Sequence, residues 1–256
     1  YKAFSYSSIV RGSSITPNPV IFSSSVLYLT PIILSWFILK YSNNRFILYL
    51  IFVCFILTEF VVMFISNSRS FLIFVPIIIV LMLTVFKRYD CLLIFGSMVL
   101  LYILVFEAKI GVFERVKEIV LGNDYSSFYN RVDSYKLSFD ILRKNIFFGV
   151  GLVNFKFYVP YYYGNYLHNL YLSILVETGI LGFISFMVLI SFLVYNSFLR
   201  VIHNFDVSRF GYFISVIFFL IHGFIDNTLY VFSLGAMFWF FVGILFRYRW
   251  ESKNTI

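Results

Sequence analysis

Residues 165–182 read NYLHNLYLSILVETGILG, and their reading decides the fold of the chain. An apolar run starts at 170 and continues to 198, longer than the roughly 20 residues a helix needs to cross the hydrocarbon of a bilayer. A histidine and an asparagine stand at its lip, and an acid, Glu177, follows within it. At ~1.5 Å per helical residue, Glu177 lies about 13 Å beyond His168, too far for direct contact. The acid is therefore expected to hold helix packing or to bind an arginine from another span, and the histidine is the more chemical of the two.

Six more runs of the same kind surround this one, at 20–39, 46–66, 70–86, 91–106, 210–230 and 232–246. The chain of 256 residues is 61% hydrophobic and 12% charged, with a mean hydropathy of +0.90. Soluble domains carry about a quarter charged residues, so this composition excludes them. The expected fold is all-α, a polytopic helical membrane protein with about seven transmembrane helices and one large extracytoplasmic loop. Its parts are an external loop 1–19, four helices in 20–106, the large loop 107–169, and three helices with a cytoplasmic tail in 170–256. The runs 91–106 and 232–246 are short and imply tilt or bilayer thinning. Pro31 and Pro76 inside runs predict kinks. Because the first residue is Tyr1, the chain is expected to be the C-terminal part of a longer protein with spans upstream.

The net charge of +8 speaks to the membrane rather than to nucleic acid, because Lys and Arg gather in cytoplasmic loops. One side of the seven-run arrangement holds Lys40, Arg45, Lys87, Arg88, Arg200, Arg209, Arg247, Arg249 and Lys253 in four short segments. The short segments opposite hold only Lys2, Arg11 and Arg69. The first side is thus the cytoplasmic one, and Arg11, Arg69, the long loop, His168, His222 and Asp226 fall outside. Cys54 and Cys91 lie in or beside apolar runs and imply no disulfide or metal framework.

Within the long loop, FERVKEIVL (113–121) and RVDSYKLSFDILRK (131–144) interleave apolar and charged residues at helical spacing. The second reads as an amphipathic helix opened by Arg131, lying on the membrane surface or packing over the spans. FFGVGL (147–152) then supplies a flexible turn, and YVPYYYGNY leads into His168.

Polar groups at a membrane are costly, so each asks for a reason. Arg69, in SNSRSF, is either a snorkelling interfacial arginine or a guanidinium gripping phosphate in bidentate fashion. Arg131 is either a solvated helix charge or a second such grip, and Arg11 sits in a shaped loop, IVRGSSITPNP. His168 and Asn169 suit a helix cap, yet an imidazole, which ordinarily titrates near pH ~6.5, is also a natural general base. His222 and Asp226, at i and i+4, share one helix face, where the acid can orient the ring. Glu59 lies about two turns inside the second run and is expected to partner a basic group. No metal-ligand spacing and no Gly-rich phosphate loop is present, so arginines rather than a divalent ion are expected to neutralise any phosphate. No cofactor is implied.

Taken in order, SRS at 68–70, the arginine-led loop helix, FFGVGL, LHNLYLSILVETGILG and HGFIDNTLY at 222–230 resemble the C-terminal half of the bacterial O-antigen ligase and polymerase superfamily. RGSSITPNP at 11–19 is similar to an external loop of the same family. The resemblance implies a metal-independent membrane glycosyltransferase. Its donor is a glycan on undecaprenyl diphosphate, and its acceptor a lipid A core sugar or another lipid-linked glycan. Membrane lipids, a chain-length regulator and a flippase are the implied partners, nucleic acid is not, and the site faces the periplasm or cell exterior from the bacterial inner membrane. Carried over, the loop arginine is Arg131, the loop histidine His168 and the span-opening arginine Arg69, with Arg11, Asn169, His222 and Asp226 as substrate-binding candidates. Where the family often has a tryptophan shortly after the loop arginine, this helix offers Tyr135. The rival readings are a transporter or flippase for lipid-linked glycans, which needs polar groups near the bilayer midplane, and a non-catalytic scaffold.

Overall fold

The structure is a computed structural model, and it describes residues 19–66, 68–110, 125–158, 167–203 and 205–247. Arg11, the FERVKEIVL segment and most of YVPYYYGNY lie outside the described residues. Among the described residues every regular element is helical. The chain divides into two compact units, Tyr1–Leu92 and Leu93–Ile256.

The first unit holds α1 (Pro19–Tyr41), α2 (Arg45–Ser66), α3 (Arg69–Val85) and the start of α4 (Tyr89–Ile110). Helix α1 packs on both α2 and α3, burying Leu27, Tyr28, Leu34, Phe52, Ile56, Ile78 and Met82. Asn44 caps α2 by accepting the Ile47 N–H at 3.2 Å. Hydroxyls inside the apolar helices are returned to their own backbone, as Ser24 Oγ to Val20 O and Ser35 Oγ to Pro31 O, both at 2.8 Å. This meets the rule that a polar group in an apolar medium needs a partner. Glu59 is buried, and its partner is a hydroxyl rather than the expected basic group: Thr30 Oγ1 donates to Oε1 at 2.9 Å. The fourth run lies in a helix that continues to Ile110, so its shortness in apolar residues is no shortness of helix.

The second unit contains α5 (Tyr125–Lys144), α6 (Leu170–His203), α7 (Val207–His222) and α8 (Phe232–Arg247), with 3-10 turns at Phe155–Phe157 and Thr228–Tyr230. Helix α5 is amphipathic as expected, but it starts upstream of Arg131, which lies in its interior rather than opening it. Its apolar face packs on α6: Ile141 is buried with Phe155, Leu167 and Val176, and Tyr135 and Leu137 pack against that cluster.

Among the described residues, Leu170–His203, Val20–Tyr41 and Arg45–Met63 are the three helices long and apolar enough to cross a membrane. Four shorter apolar helices, Ser70–Val85, Tyr89–Ile103, Val207–His222 and Phe232–Arg247, account for the remaining runs. Two of the expected spans are corrected. The run 210–230 is not one helix: α7 ends at His222, and turns and a 3-10 turn follow. The run 170–198 is not one straight helix either, because Gly179 breaks it with φ 69° and ψ −173°.

Chain length explains the break. Helices α6 and α7 are joined by the short connection 204–206 and meet again where Leu170 N donates to Gly223 O at 2.7 Å. A straight α6 of 34 residues would be ~51 Å long and α7, with 16 residues, only ~24 Å. The bend at Gly179 absorbs the mismatch. Before it, Leu170, Ser173, Ile174, Val176 and Glu177 are buried, whereas after it Leu181, Ile184, Val188 and Phe192 are exposed. Residues 180–203 alone are about 36 Å of helix, enough for a hydrocarbon core of ~30 Å. Glu177 therefore belongs to a buried segment that crossing does not require.

The segment FFGVGL fills the break and is clamped, not flexible. Val150 N donates to Val176 O at 3.1 Å and Gly151 N to Glu177 O at 2.8 Å. In return Ile180 N donates to Ile146 O at 2.8 Å and Leu181 N to Phe147 O at 3.5 Å. The carbonyls and amides that the break strips from the helix ladder thus find partners in the loop, as buried backbone must. Val153 sits at φ 61°, a conformation costing a β-branched residue about 1–3 kcal/mol.

Candidate functional site

His168 precedes α6, and the next residue, Asn169, caps it by accepting the Leu172 N–H at 2.9 Å. That cap is what the histidine was equally suited for, and Asn169 takes it. The His168 side chain remains 38% exposed. Its backbone carbonyl accepts the Tyr135 hydroxyl of α5 at 3.1 Å, so the residue standing near the family's tryptophan position touches the histidine's backbone. Arg131 is one helical turn before Tyr135 and shares its face of α5.

The connection 223–231 between α7 and α8 lies along the first segment of α6. Asn169 Nδ2 donates to Phe224 O at 3.2 Å, Asn227 Nδ2 to Ser173 Oγ at 2.9 Å, and Tyr230 Oη to Glu177 Oε2 at 2.7 Å. This brings Asp226 to His168, with Nδ1 and Oδ1 3.3 Å apart. The expected shared helix face of His222 and Asp226 is corrected, although the His222 imidazole stays among the groups that act on the carboxylate. Asp226 lies past the end of α7, and a residue 58 positions away in sequence takes its carboxylate. His222 is 1% exposed, and its carbonyl accepts the Asp226 N–H at 3.0 Å, which orients the turn.

Burial by itself would raise the Asp226 carboxyl, but the His168 hydrogen bond, the Asn227 N–H at 2.8 Å and the nearby imidazoles hold it below the usual carboxylate range. Asp226 thus stays an acceptor, fixing the proton of His168 on Nδ1 and leaving Nε2 as the basic nitrogen. A depressed carboxyl contributes stability above its unfolded value, here 3.8, and loses it as the pH falls through the lower folded value. The deficit of Asp226→Asn against the wild type is expected to persist from neutrality down to about pH 4 and to shrink below 3.8. Thermal unfolding of the detergent-solubilised protein across pH checks this.

Of the two roles expected for Glu177, the structure shows the packing one: its Oε2 accepts the Val153 N–H at 2.8 Å besides the Tyr230 hydroxyl, and no arginine is its partner among these bonds. Burial first, and then the Glu177 carboxyl, push the Tyr230 hydroxyl far up, so it remains a donor. Of the remaining candidates, Arg69 is the first residue of α3 and, with Glu59, belongs to the first unit. Arg11 lies outside the described residues. Ser173, Asn227 and Tyr230 escaped the sequence reading, and Tyr135 was noticed only as a stand-in for a tryptophan. HGFIDNTLY was noticed as a motif, but an apolar run masked the turn that makes its polar residues converge.

Among the described residues no three His, Cys, Asp or Glu side chains are grouped to hold a metal ion. A model of a protein family described as O-antigen ligase matches residues 52–187, just over half of the chain. The match runs from α2 through Arg69, Arg131, His168 and Glu177, and ends before Asp226. No curated protein and no solved structure matches.

Proposed function

The chain belongs to the O-antigen ligase family, and from that premise we propose that it is a membrane glycosyltransferase of surface polysaccharide assembly. It takes a glycan from an undecaprenyl-diphosphate donor on the extracytoplasmic side of the bacterial inner membrane. In this reading the chain crosses the bilayer seven times, the fifth crossing being the part of α6 after Gly179 and the sixth α7 up to His222, and the basic residues of the alternating short segments support a cytoplasmic place for that side. The single observation that carries the catalytic reading is the partly exposed His168–Asp226 pair, 3.3 Å apart.

An acceptor sugar hydroxyl attacks the anomeric carbon of the donor. Its proton passes to His168 Nε2 as the new C–O bond forms. The bond from the anomeric carbon to the diphosphate breaks with its electron pair left on that oxygen. One displacement inverts the anomeric configuration. Arg131 stabilises the charge developing on the leaving diphosphate, the role of a preorganised donor at a developing anion, and the family resemblance nominates Arg69 and Arg11 for the same role. Asn169 and Asp226 shape the acceptor side, while His222, too buried to meet a substrate, holds the turn behind them, and no cofactor takes part.

Deletion in the host, followed by a gel of its surface glycans, tests this reading. Single-repeat products identify a lost polymerase, and long lipid-linked chains with bare acceptor identify a lost ligase. An unaltered glycan profile overturns the proposal.

A further inference from the structure

The connection 223–231 carries Asp226 but no regular helix around it, so its place is set by what its two ends hold. At one end Gly223 O accepts Leu170 N at 2.7 Å and Phe224 O accepts Asn169 Nδ2 at 3.2 Å. At the other end stands Tyr230, whose hydroxyl reaches Glu177 Oε2 at 2.7 Å. Between them Asn227 Nδ2 reaches Ser173 Oγ at 2.9 Å. All these anchors lie in residues 169–177, the buried segment that begins directly after His168. That segment acts as a ruler, and Glu177 is the mark at its far end.

The same carboxyl oxygen takes a second donor, Val153 N at 2.8 Å. Val153 is held at φ 61°, a backbone state that a valine leaves unless something fixes it. Loop and connection thus converge on one buried oxygen, 5% of Glu177 being exposed, about 13 Å along the helix from His168. The structure assigns Glu177 as the positioning residue of the His168–Asp226 pair: through Tyr230 it fixes the connection that carries Asp226, and it touches no substrate. This rests on the reading of His168 as the general base.

Both bonds need an acceptor oxygen and not a charge, and glutamine supplies that oxygen. In the full-length membrane protein, Glu177→Gln is expected to keep transfer close to wild type. Glu177→Ala and Tyr230→Phe are expected to lower kcat by about 10- to 100-fold, the effect of a small misplacement of catalytic groups, with KM for the lipid-linked donor unchanged. The double variant Glu177→Ala, Tyr230→Phe is expected to lose no more than the worse single one, because the two residues act as one unit. Backbone amide exchange over 223–231 is expected to rise in Glu177→Ala and in Tyr230→Phe, but not in Glu177→Gln. Tyr230→Phe removes one hydroxyl and serves where Glu177→Ala does not fold. Unchanged exchange and unchanged kcat in Tyr230→Phe overturn the assignment, as does a Glu177→Gln variant as damaged as Glu177→Ala. Exchange is read without catalysis, so a wild type that transfers no glycan would sink the proposed function while the exchange series still decides the role of Glu177.

Discussion

Replacing His168 by alanine is expected to lower glycan transfer by about 10²- to 10⁴-fold, the usual share of a positioned general base. On the proposed mechanism the loss should fall on kcat, because arginines and not the imidazole would hold the diphosphate. Folding should survive: the α6 cap is Asn169, which accepts Leu172 N, and the Tyr135 bond goes to the His168 backbone carbonyl, which alanine keeps. Asp226 retains the Asn227 N–H after the imidazole is gone. The measurement is transfer from lipid-linked donor in membranes with equal amounts of wild type and variant. Undiminished transfer at equal membrane levels would remove His168 from the mechanism.

The second large effect concerns the helix break. Gly179→Ala is expected to destabilise the protein by at least about 2–4 kcal/mol, more than most single substitutions do. Two causes add. At φ 69° and ψ −173° the backbone occupies a region nearly reserved for glycine, costing another residue about 1–3 kcal/mol. An added Cβ would also stand 2.3 Å from Phe147 O and 2.5 Å from Phe148 N, both backbone atoms fixed by the clamp. Gly149→Ala meets the mirror image of this problem, with its Cβ 2.4 Å from the Glu177 carbonyl carbon at φ 66°. By contrast Gly96→Ala, whose Cβ has nothing within 4 Å, is expected to fold normally. Membrane levels and the thermal midpoint in detergent separate the three. A Gly179→Ala protein as stable as Gly96→Ala would show that the clamp does not hold the break as described.

Some of this was legible in residues alone, for stated reasons. Apolar runs reveal helices because both lipid and protein interior demand internally satisfied backbone. The order of SRS, FFGVGL and LHNLYLSILVETGILG pointed to the family that residues 52–187 match. The interleaving at 131–144 revealed an amphipathic helix, although its start lies earlier, at Tyr125. Hydropathy, however, does not separate a helix facing lipid from one buried in protein, since both are apolar. That is why 170–198 read as one span, with its acid expected to hold packing or an arginine inside it.

Local spacing misled at Asp226 for a related reason. The i, i+4 rule nominates neighbours along one helix, and it offered His222. The helix stops at His222, and the turn that follows delivers Asp226 to His168 instead. Nothing at 226 announces a partner so distant in sequence.

By itself, then, the sequence determined a helical membrane chain, a capped helix start beside His168 and a family, because hydropathy, helical period and motif order are properties of the chain read in line. Only the tertiary structure decided that Gly179 breaks α6, that Glu177 gathers Val153 and Tyr230, and that Asp226 pairs with His168. Those contacts arise from matching a 34-residue helix to a 16-residue one. That constraint exists only once the two lie side by side.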